Sequence, residues 1–503
     1  MSMNRVLVGG EWRAPNAPDG SFHAFDPQTG LPLAPEFPVS RWEELDGMVR
    51  AGLHAAESLE SVPAASRSRF FEQFAAAIER HAADLAATAH AETALPAAPR
   101  LLDVEIPRTV RQLRMAAAVV AGDLWRHREI DTAAGLMSEY RSLGGPVLVI
   151  GPNNFPFAFN AISGGDFAAA LAAGNPVIAK GHPGHPETTR RLAELCAEAA
   201  RDAGLPAAAV QLFYHCLPDT GLRLAGHPGL AAVAFTGSRA AGLSLKAAAD
   251  AAGTPFYGEM SASNPVFLLP SAVAARAADL ARELFGSFTL GCGQFCTKPA
   301  LAVLVGDDAG RQMLGELMAL VSASASVVLL GAGVRDAFHR GIAGALEAGA
   351  RRLARGRVTR TAGFAAEPEL LEVDAETFLR APAAFQIEAF GPTTLIVSAG
   401  DEGELLAVAR GIEGTLAASV YVASGTSDEA IYRRLAPVLV RRSGRFMTNK
   451  MPTGVAVSPA MNHGGPFPAT THPGFTAVGM PRSLLRFAAL KCFDSVEERM
   501  IPE

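Results

Sequence analysis

Cysteine is scarce in this chain: five in 503 residues, at positions 196, 216, 292, 296 and 492. An odd, sparse set in a chain this long is not a disulfide framework. Cys292 and Cys296 have zinc-like spacing, but a structural zinc site needs a second ligand pair and none lies nearby in the sequence, so no metal is expected. Long apolar runs are missing as well, and none reaches the length of a bilayer span. Met1 to Val8 lacks the apolar core of a secretion signal, which predicts a cytoplasmic protein with no membrane partner. Basic residues are thin: Lys and Arg number 44 against 50 Asp and Glu, for a formal net charge of -6. With no basic stripe, nucleic acid is not an expected partner. Internal repeats and low-complexity linkers are absent too.

What remains is a globular balance, 49% hydrophobic and 19% charged, long enough for two to four domains around a large core. Val6 to Trp12 reads as a strand with a tight turn at Gly9-Gly10. Ser40 with Glu43 is a capping-box start for a helix to Glu60. Alanine-rich helices are expected over 64–91 and 107–129, with packing as their role. From Gly145 the pattern alternates. Strands are expected at 147–150, 176–179, 210–214 and 231–235, with helices at 158–173, 188–203 and 222–226 between them. Such alternation predicts parallel strands joined by crossover helices, a doubly wound sheet with ligands at the carboxyl ends of its strands. Asn154, Lys180 and Thr236-Gly237-Ser238 fall at such ends. A second alternating half follows, with strands at 265–269, 300–305, 393–397 and 417–422. The two halves are expected to meet at Glu259-Met260. The stretch from Arg128 to Ser142 fits neither half, and Gly474 onward reads as a tail with a strand; both are expected to contribute to an oligomer contact.

The stretch that organises the chain is Gly291-Cys292-Gly293-Gln294-Phe295-Cys296-Thr297, at a helix-to-strand junction. A thiol among residues too small to cover it can be reached by a substrate. Phe235-Thr236-Gly237-Ser238 followed by Arg239 is a strand, a glycine turn and a helix start, whose free amides suit an anion such as phosphate; taken alone, it reads first as a turn that only needs glycine. Glu259, before a serine-rich turn, has the chemistry of a general base and also of a solvated turn acid. Asn154 is a usable oxyanion donor or a turn residue. Lys180 and Glu388 read by default as surface groups, and His182 and His185 as hydrogen-bonded loop histidines.

Together these blocks resemble the aldehyde dehydrogenase superfamily from about Val8 to the C-terminus. The carriers are Gly151-Pro152-Asn153-Asn154-Phe155-Pro156, Ala173-Gly174-Asn175-Pro176-Val177-Ile178-Ala179-Lys180, Phe235-Thr236-Gly237-Ser238, Glu259, Gly293-Gln294-Phe295-Cys296-Thr297 and Glu388-Ala389-Phe390-Gly391-Pro392, in the family's order and spacing. Three further features resemble its α-ketoglutarate semialdehyde (2,5-dioxopentanoate) and NADP-accepting fatty-aldehyde branch. These are Pro299, the run from Lys180 to Pro186, and His463-Gly464-Gly465-Pro466-Phe467-Pro468-Ala469-Thr470.

The resemblance implies an α/β fold of two doubly wound domains with a small β arm for oligomerisation. The cofactor domain would comprise 1–127 and 144–258, the catalytic domain 259–450, and the arm and tail 128–143 and 451–503. It implies Cys296 as nucleophile, Asn154 with the Cys296 amide as oxyanion donors, and Glu259 as the base that activates water. Lys180, Gly237, Ser238, Glu388 and Phe390 are implied cofactor contacts, joined by Pro152 and His182. The cofactor would be NAD or NADP, with NADP favoured. Pro183 stands where NAD-holding relatives often place a glutamate, and losing that acid removes repulsion of a 2′-phosphate. Arg239 or His182 would face that phosphate. A small aldehyde is the implied substrate, α-ketoglutarate semialdehyde before broad or fatty aldehydes, in a homodimer or homotetramer. Cys292 is expected as a small buried residue, or else as a partner for reversible oxidation of Cys296. A non-catalytic relative is disfavoured because Cys296, Glu259 and Asn154 are all intact. A thiol hydrolase is disfavoured because no activating histidine lies near Cys296 in the sequence.

Overall fold

The computed structural model describes residues 3–501. Two seven-stranded sheets carry the chain. In the first, the spatial order is Phe256–Glu259, Ala232–Thr236, Val147–Ile150, Val177–Lys180, Val210–Phe213, Val6–Val8 and Glu11–Arg13. The five strands from Phe256–Glu259 to Val210–Phe213 are parallel, and the N-terminal hairpin closes the edge antiparallel. Strands 147–150, 177–180 and 210–213 are laid down in one direction. The chain then returns to place 232–236 on the other side of 147–150. That reversal is a topological switch point, where helices diverge and leave a crevice beyond the strand ends.

The second sheet runs Arg351–Arg355, Glu369–Asp374, Thr393–Ala399, Pro299–Val305, Asn264–Leu268, Thr415–Tyr421 and Ser443–Thr448, parallel except for its first strand. Its central strands are near-continuous apolar runs buried on both faces, as a sheet covered by helices requires. A short link joins Glu259, at the carboxyl end of the first sheet, to Asn264, at the amino end of a second-sheet strand. The carboxyl ends of one sheet therefore face the amino ends of the other across a cleft.

Residues 129–142 and the tail form a third, antiparallel sheet of Glu129–Asp131, Leu136–Ser142 and Ala488–Asp494. Ile130 and Leu490 on it are 59% and 58% exposed, an apolar surface that a lone chain leaves uncovered.

Several local expectations are corrected. Ser40 and Glu43 make no capping box. The Ser40 amide donates to His215 O, and Glu43 is taken by Arg41 Nε at 2.5 Å, so the helix Trp42–Glu60 starts without a side-chain cap. The helix expected over 64–91 is two, Ala64–Arg80 and Ala82–Thr93, with a break at His81. The helix expected over 107–129 spans Ile106–Gly122 and stops where Asp123 turns left-handed, φ 51°. The helix expected from Ala158 begins only at Gly165. Before it, the buried Asn160 side chain replaces helical bonds: Nδ2 donates to Pro156 O and Thr189 Oγ1, and Oδ1 accepts from Ile162 N. Strand Glu369–Asp374 escaped the sequence pattern because it buries two carboxylates. Glu369 is neutralised by Arg352 at 2.7 Å, and Glu372 accepts from Ser398 Oγ at 2.5 Å.

Candidate active site

A cavity of about 790 Å³ occupies the switch-point cleft. It is lined by Asn154, Glu259, Cys296, Lys180, Gly237, Ser238, Glu388, Phe390, Pro152 and His182, the catalytic and cofactor-contact residues that the resemblance implied. Each arrives for a local reason. Pro152 and Asn154 follow the strand Val147–Ile150, and Lys180 ends its neighbour. Gly237 and Ser238 follow Ala232–Thr236, and Ser238 caps the helix Arg239–Ala251 through its Oγ, which accepts from Ala241 N. First-turn amides of that 13-residue helix have no intrahelical acceptor and can hold an anion.

At the other end of the cavity sits Cys296, half-buried. Its loop is anchored from the second sheet: Asn264 Nδ2 donates to the carbonyls of Cys296 and Lys298 at 2.9 and 3.0 Å. Asn154 Nδ2 donates to Gln294 O at 2.8 Å, which brings its amide to the nucleophile's own loop. The Cys296 N–H donates to no acceptor among the described residues.

One further side chain meets the thiol. His463 Nε2 is 3.4 Å from Cys296 Sγ and 3.1 Å from Glu259 Oε1. His463 and Glu259 are each 2% exposed. The three donor atoms lie within 4.8 Å of one another. No histidine lies near Cys296 in the sequence, but folding brings one from 167 positions away. Glu259 Oε2 has no partner among the described residues, which leaves lone pairs for a water. Burial pushes the Cys296 thiol well above its usual 9, and the negative charges of Glu259 and Glu388 add to the push. The resting sulfur is thus a thiol, and its ionisation needs a neighbouring proton acceptor.

The loop carrying Glu388 and Phe390 is held by a residue the sequence did not single out. Lys298, 2% exposed, donates from Nζ to the carbonyls of Ala389, Gly391 and Thr393 at 2.7, 3.0 and 3.0 Å. Burial raises the Glu388 carboxyl and lowers the Lys298 ammonium, while their mutual attraction opposes both shifts. Removing this ammonium takes a donor from all three carbonyls, of which Gly391 O keeps the Thr393 N–H at 2.8 Å; a buried carbonyl left unpaired costs about 1–3 kcal/mol. We expect Lys298→Met to raise the cofactor KM by at least about 10-fold, with a smaller change in the aldehyde KM. Steady-state titration of each ligand checks this.

The far end of the cavity collects Lys180, His182 and His215. Lys180 Nζ donates to Gly181 O at 3.1 Å and pairs with no carboxylate among the described residues. Gly184 N–H donates to His182 Nδ1 at 3.0 Å, which fixes the ring proton on Nε2 as a free donor. Burial holds His182 well below 6.5, so it is a neutral donor. Arg239, the other group expected toward a phosphate, pairs instead with Glu413 at 3.1 Å and is not on the cavity wall. His185 Nε2 bonds Pro152 O at 3.0 Å and steadies that turn. Cys292 packs against the core of the second sheet and is not on the cavity wall.

The aldehyde dehydrogenase family model matches residues 12–466. The chain belongs to the aldehyde dehydrogenase family. Among curated relatives, alpha-ketoglutaric semialdehyde dehydrogenase 2 of Azospirillum brasilense is 38% identical over 99% of this chain and 95% of that one. Alpha-ketoglutaric semialdehyde dehydrogenase of Acinetobacter baylyi is 33% identical over the same shares. Among solved structures, lactaldehyde dehydrogenase from Escherichia coli superposes with a TM-score of 0.82 at 21% identity, covering 98% of this chain and 99% of that one. Aldehyde dehydrogenase C from Pseudomonas syringae, solved as a cysteine-to-alanine mutant in complex with NAD+ and octanal, superposes at 0.81 with 19% identity, covering 99% and 98%. These last two share the family's fold of two α/β sheets.

Proposed function

We propose that this protein oxidises an aldehyde to its carboxylic acid with a nicotinamide dinucleotide, and that α-ketoglutarate semialdehyde, giving 2-oxoglutarate, is the substrate. The observation that carries the reading is the Cys296–His463–Glu259 contact at one end of a cavity whose other wall is a helix N-terminus. The residues fit the cofactor. The amides at Gly237 and Ser238 would take the pyrophosphate, Lys180 and Glu388 the two riboses, and Phe390 one face of the nicotinamide. A cavity of this size suits a dinucleotide. NADP is favoured over NAD, because Lys180 lacks a carboxylate partner, His182 offers a free N–H and Pro183 supplies no acid.

Cys296 yields its proton toward His463 and Glu259, and its sulfur attacks the aldehyde carbon to form a thiohemiacetal. The Asn154 amide and the Cys296 N–H hold the oxyanion, each donor contributing roughly 3–4 kcal/mol to the transition state. A nicotinamide held beside Phe390 would supply the acceptor for the hydride that this carbon gives up. A thioester then remains on Cys296. Glu259 Oε2, free of partners among the described residues, takes a proton from water, which attacks the thioester and frees the acid.

In this reading residues 1–127 and 144–258 hold the cofactor, 259–450 hold the thiol, and 128–143 with 451–503 build the arm and tail. The exposed Ile130 and Leu490 support a homodimer or homotetramer, formed in the cytoplasm. Among the described residues no helix is long and apolar enough to cross a membrane. A second reading, oxidation of broad or fatty aldehydes, draws on the aromatic cluster of Phe155, Phe159, Phe295 and Phe475 near the thiol. The test is kcat/KM for a panel of carboxylated and alkyl aldehydes with each cofactor. We expect α-ketoglutarate semialdehyde with NADP to lead; a maximum at a long alkyl chain overturns the substrate assignment.

A further inference from the structure

The helix Ile106–Gly122 turns one face toward that aromatic cluster, and two polar side chains on this face have unpaired atoms. Arg108 and Gln112 stand one helical turn apart, on the same side. Arg108 Nη1 donates to Val455 O at 3.0 Å, but Nε and Nη2 have no partner among the described residues. Its guanidinium lies over Phe159 at 5.1 Å and Phe155 at 5.6 Å from the ring centroids. Phe159 in turn packs against His463, centroids 5.8 Å apart. Gln112 is 3% exposed, and neither its Oε1 nor its Nε2 has a partner among the described residues.

Arg108 forms no ion pair within 4.0 Å among the described residues. Glu105, the residue that precedes its helix, is committed elsewhere. Its Oε2 pairs with Arg100 at 2.5 Å, and its Oε1 accepts from the amides of Phe157 and Ala158. Burial makes the Arg108 charge costly, and the carboxylates of Glu105 and Glu259 offset part of that cost; its place over Phe159, the ring that packs on His463, sets the guanidinium toward the thiol. Arg445, by contrast, donates from both terminal nitrogens to the carbonyls of Pro452 and Gly454. A guanidinium always stays charged. Buried without a counter-ion it is unfavourable, so an anionic ligand here gains what the free protein lacks.

We infer that Arg108 is the specificity-determining anchor for the carboxylate at the far end of an oxo-acid substrate, with the Gln112 amide on the keto oxygen beside it. This deepens the reading above and rests on it. The aromatic rings select a chain of carbon atoms, and the Arg108–Gln112 pair selects how that chain ends. An α-keto acid presents a carboxylate and an adjacent carbonyl. The two match a guanidinium edge and an amide N–H one turn apart.

The experiment compares kcat/KM for α-ketoglutarate semialdehyde, succinic semialdehyde and pentanal in wild type, Arg108→Met, Arg108→Lys and Gln112→Leu. In Arg108→Met the ratio of α-ketoglutarate semialdehyde to pentanal is expected to fall roughly 100-fold, mostly in KM, the loss of a charge-assisted hydrogen bond. Arg108→Lys is expected to recover part of it, since it restores the charge without the fork. Gln112→Leu is expected to lower the preference for the keto acid over succinic semialdehyde. A parallel fall for all three aldehydes in Arg108→Met makes Arg108 structural and overturns the inference while leaving the substrate assignment standing. If wild type itself favours pentanal over both carboxylated aldehydes, the substrate assignment and the inference fall together.

Discussion

Cys296→Ala is expected to lose at least about 10⁴-fold in turnover while binding reduced cofactor within about threefold of wild type. The Ala side chain fills less of the cavity wall but removes none of the contacts at Gly237, Ser238, Lys180 or Glu388, so cofactor affinity and nucleophile are separable. The thiol's acidity supplies a matched control. Because burial and the charges of Glu259 and Glu388 hold the sulfur protonated above its usual range, its alkylation by iodoacetamide without cofactor should still be rising as pH passes 9. A thiol with a lowered pKa would instead level off below about pH 8. Turnover at neutral pH therefore needs the proton acceptor 3.4 Å away at His463 Nε2. Retained turnover in Cys296→Ala would remove the sulfur from the mechanism. Rapid alkylation that is flat across about pH 7–9 would remove the need for a relay.

The parallel cores could be read from the chain because their strands are short β-branched runs between glycine and proline turns, a signal local in sequence. What escaped was decided at a distance. The strand Glu369–Asp374 carries acids that look solvated until Arg352 and Ser398, remote in sequence, are packed against them. The delayed helix at Gly165 depends on Asn160 reaching Thr189, 29 positions on. In each case a side chain replaced backbone bonding or neutralised a charge through a contact that periodicity does not record.

The site divides the same way. Residues at strand ends, such as Lys180, Gly237 and Glu259, share one cavity because sheet topology places strand ends together. His463 lies on an irregular segment and had no such guide. Its signal was the pair that follows it. A Cβ at Gly464 would collide with Phe475 O, and one at Gly465 would collide with Thr415 O. A histidine followed by two such glycines marks a backbone threaded tightly through the core, where a polar ring needs a partner. Lys298 offered a similar clue, a lone charge entering the apolar strand Pro299–Val305. Arg108 and Gln112 were hidden by composition, since an alanine-rich helix reads as packing until its unpaired nitrogens are seen.

Glu259→Gln is expected to release about one reduced cofactor per active site and then slow by roughly 10²–10⁴-fold. The substitution keeps the shape of the side chain but abolishes the base. In wild type, Oε1 is occupied by His463 at 3.1 Å while Oε2 is buried and without a partner among the described residues. One oxygen thus positions the imidazole and the other is available to water. Acylation asks only that the thiol lose its proton, and with no carboxylate beside it to claim a hydrogen, the His463 Nε2 lone pair 3.4 Å from the sulfur is free to accept it. Deacylation asks that a water be deprotonated beside the thioester, and an amide cannot do that. The burst should therefore survive while the steady state collapses, and acid quench followed by mass analysis should find the acyl group on Cys296. A wild-type steady rate would show that another group activates the water. Loss of the burst together with the steady state would move Glu259 to the first half of the reaction, acting on the sulfur through His463.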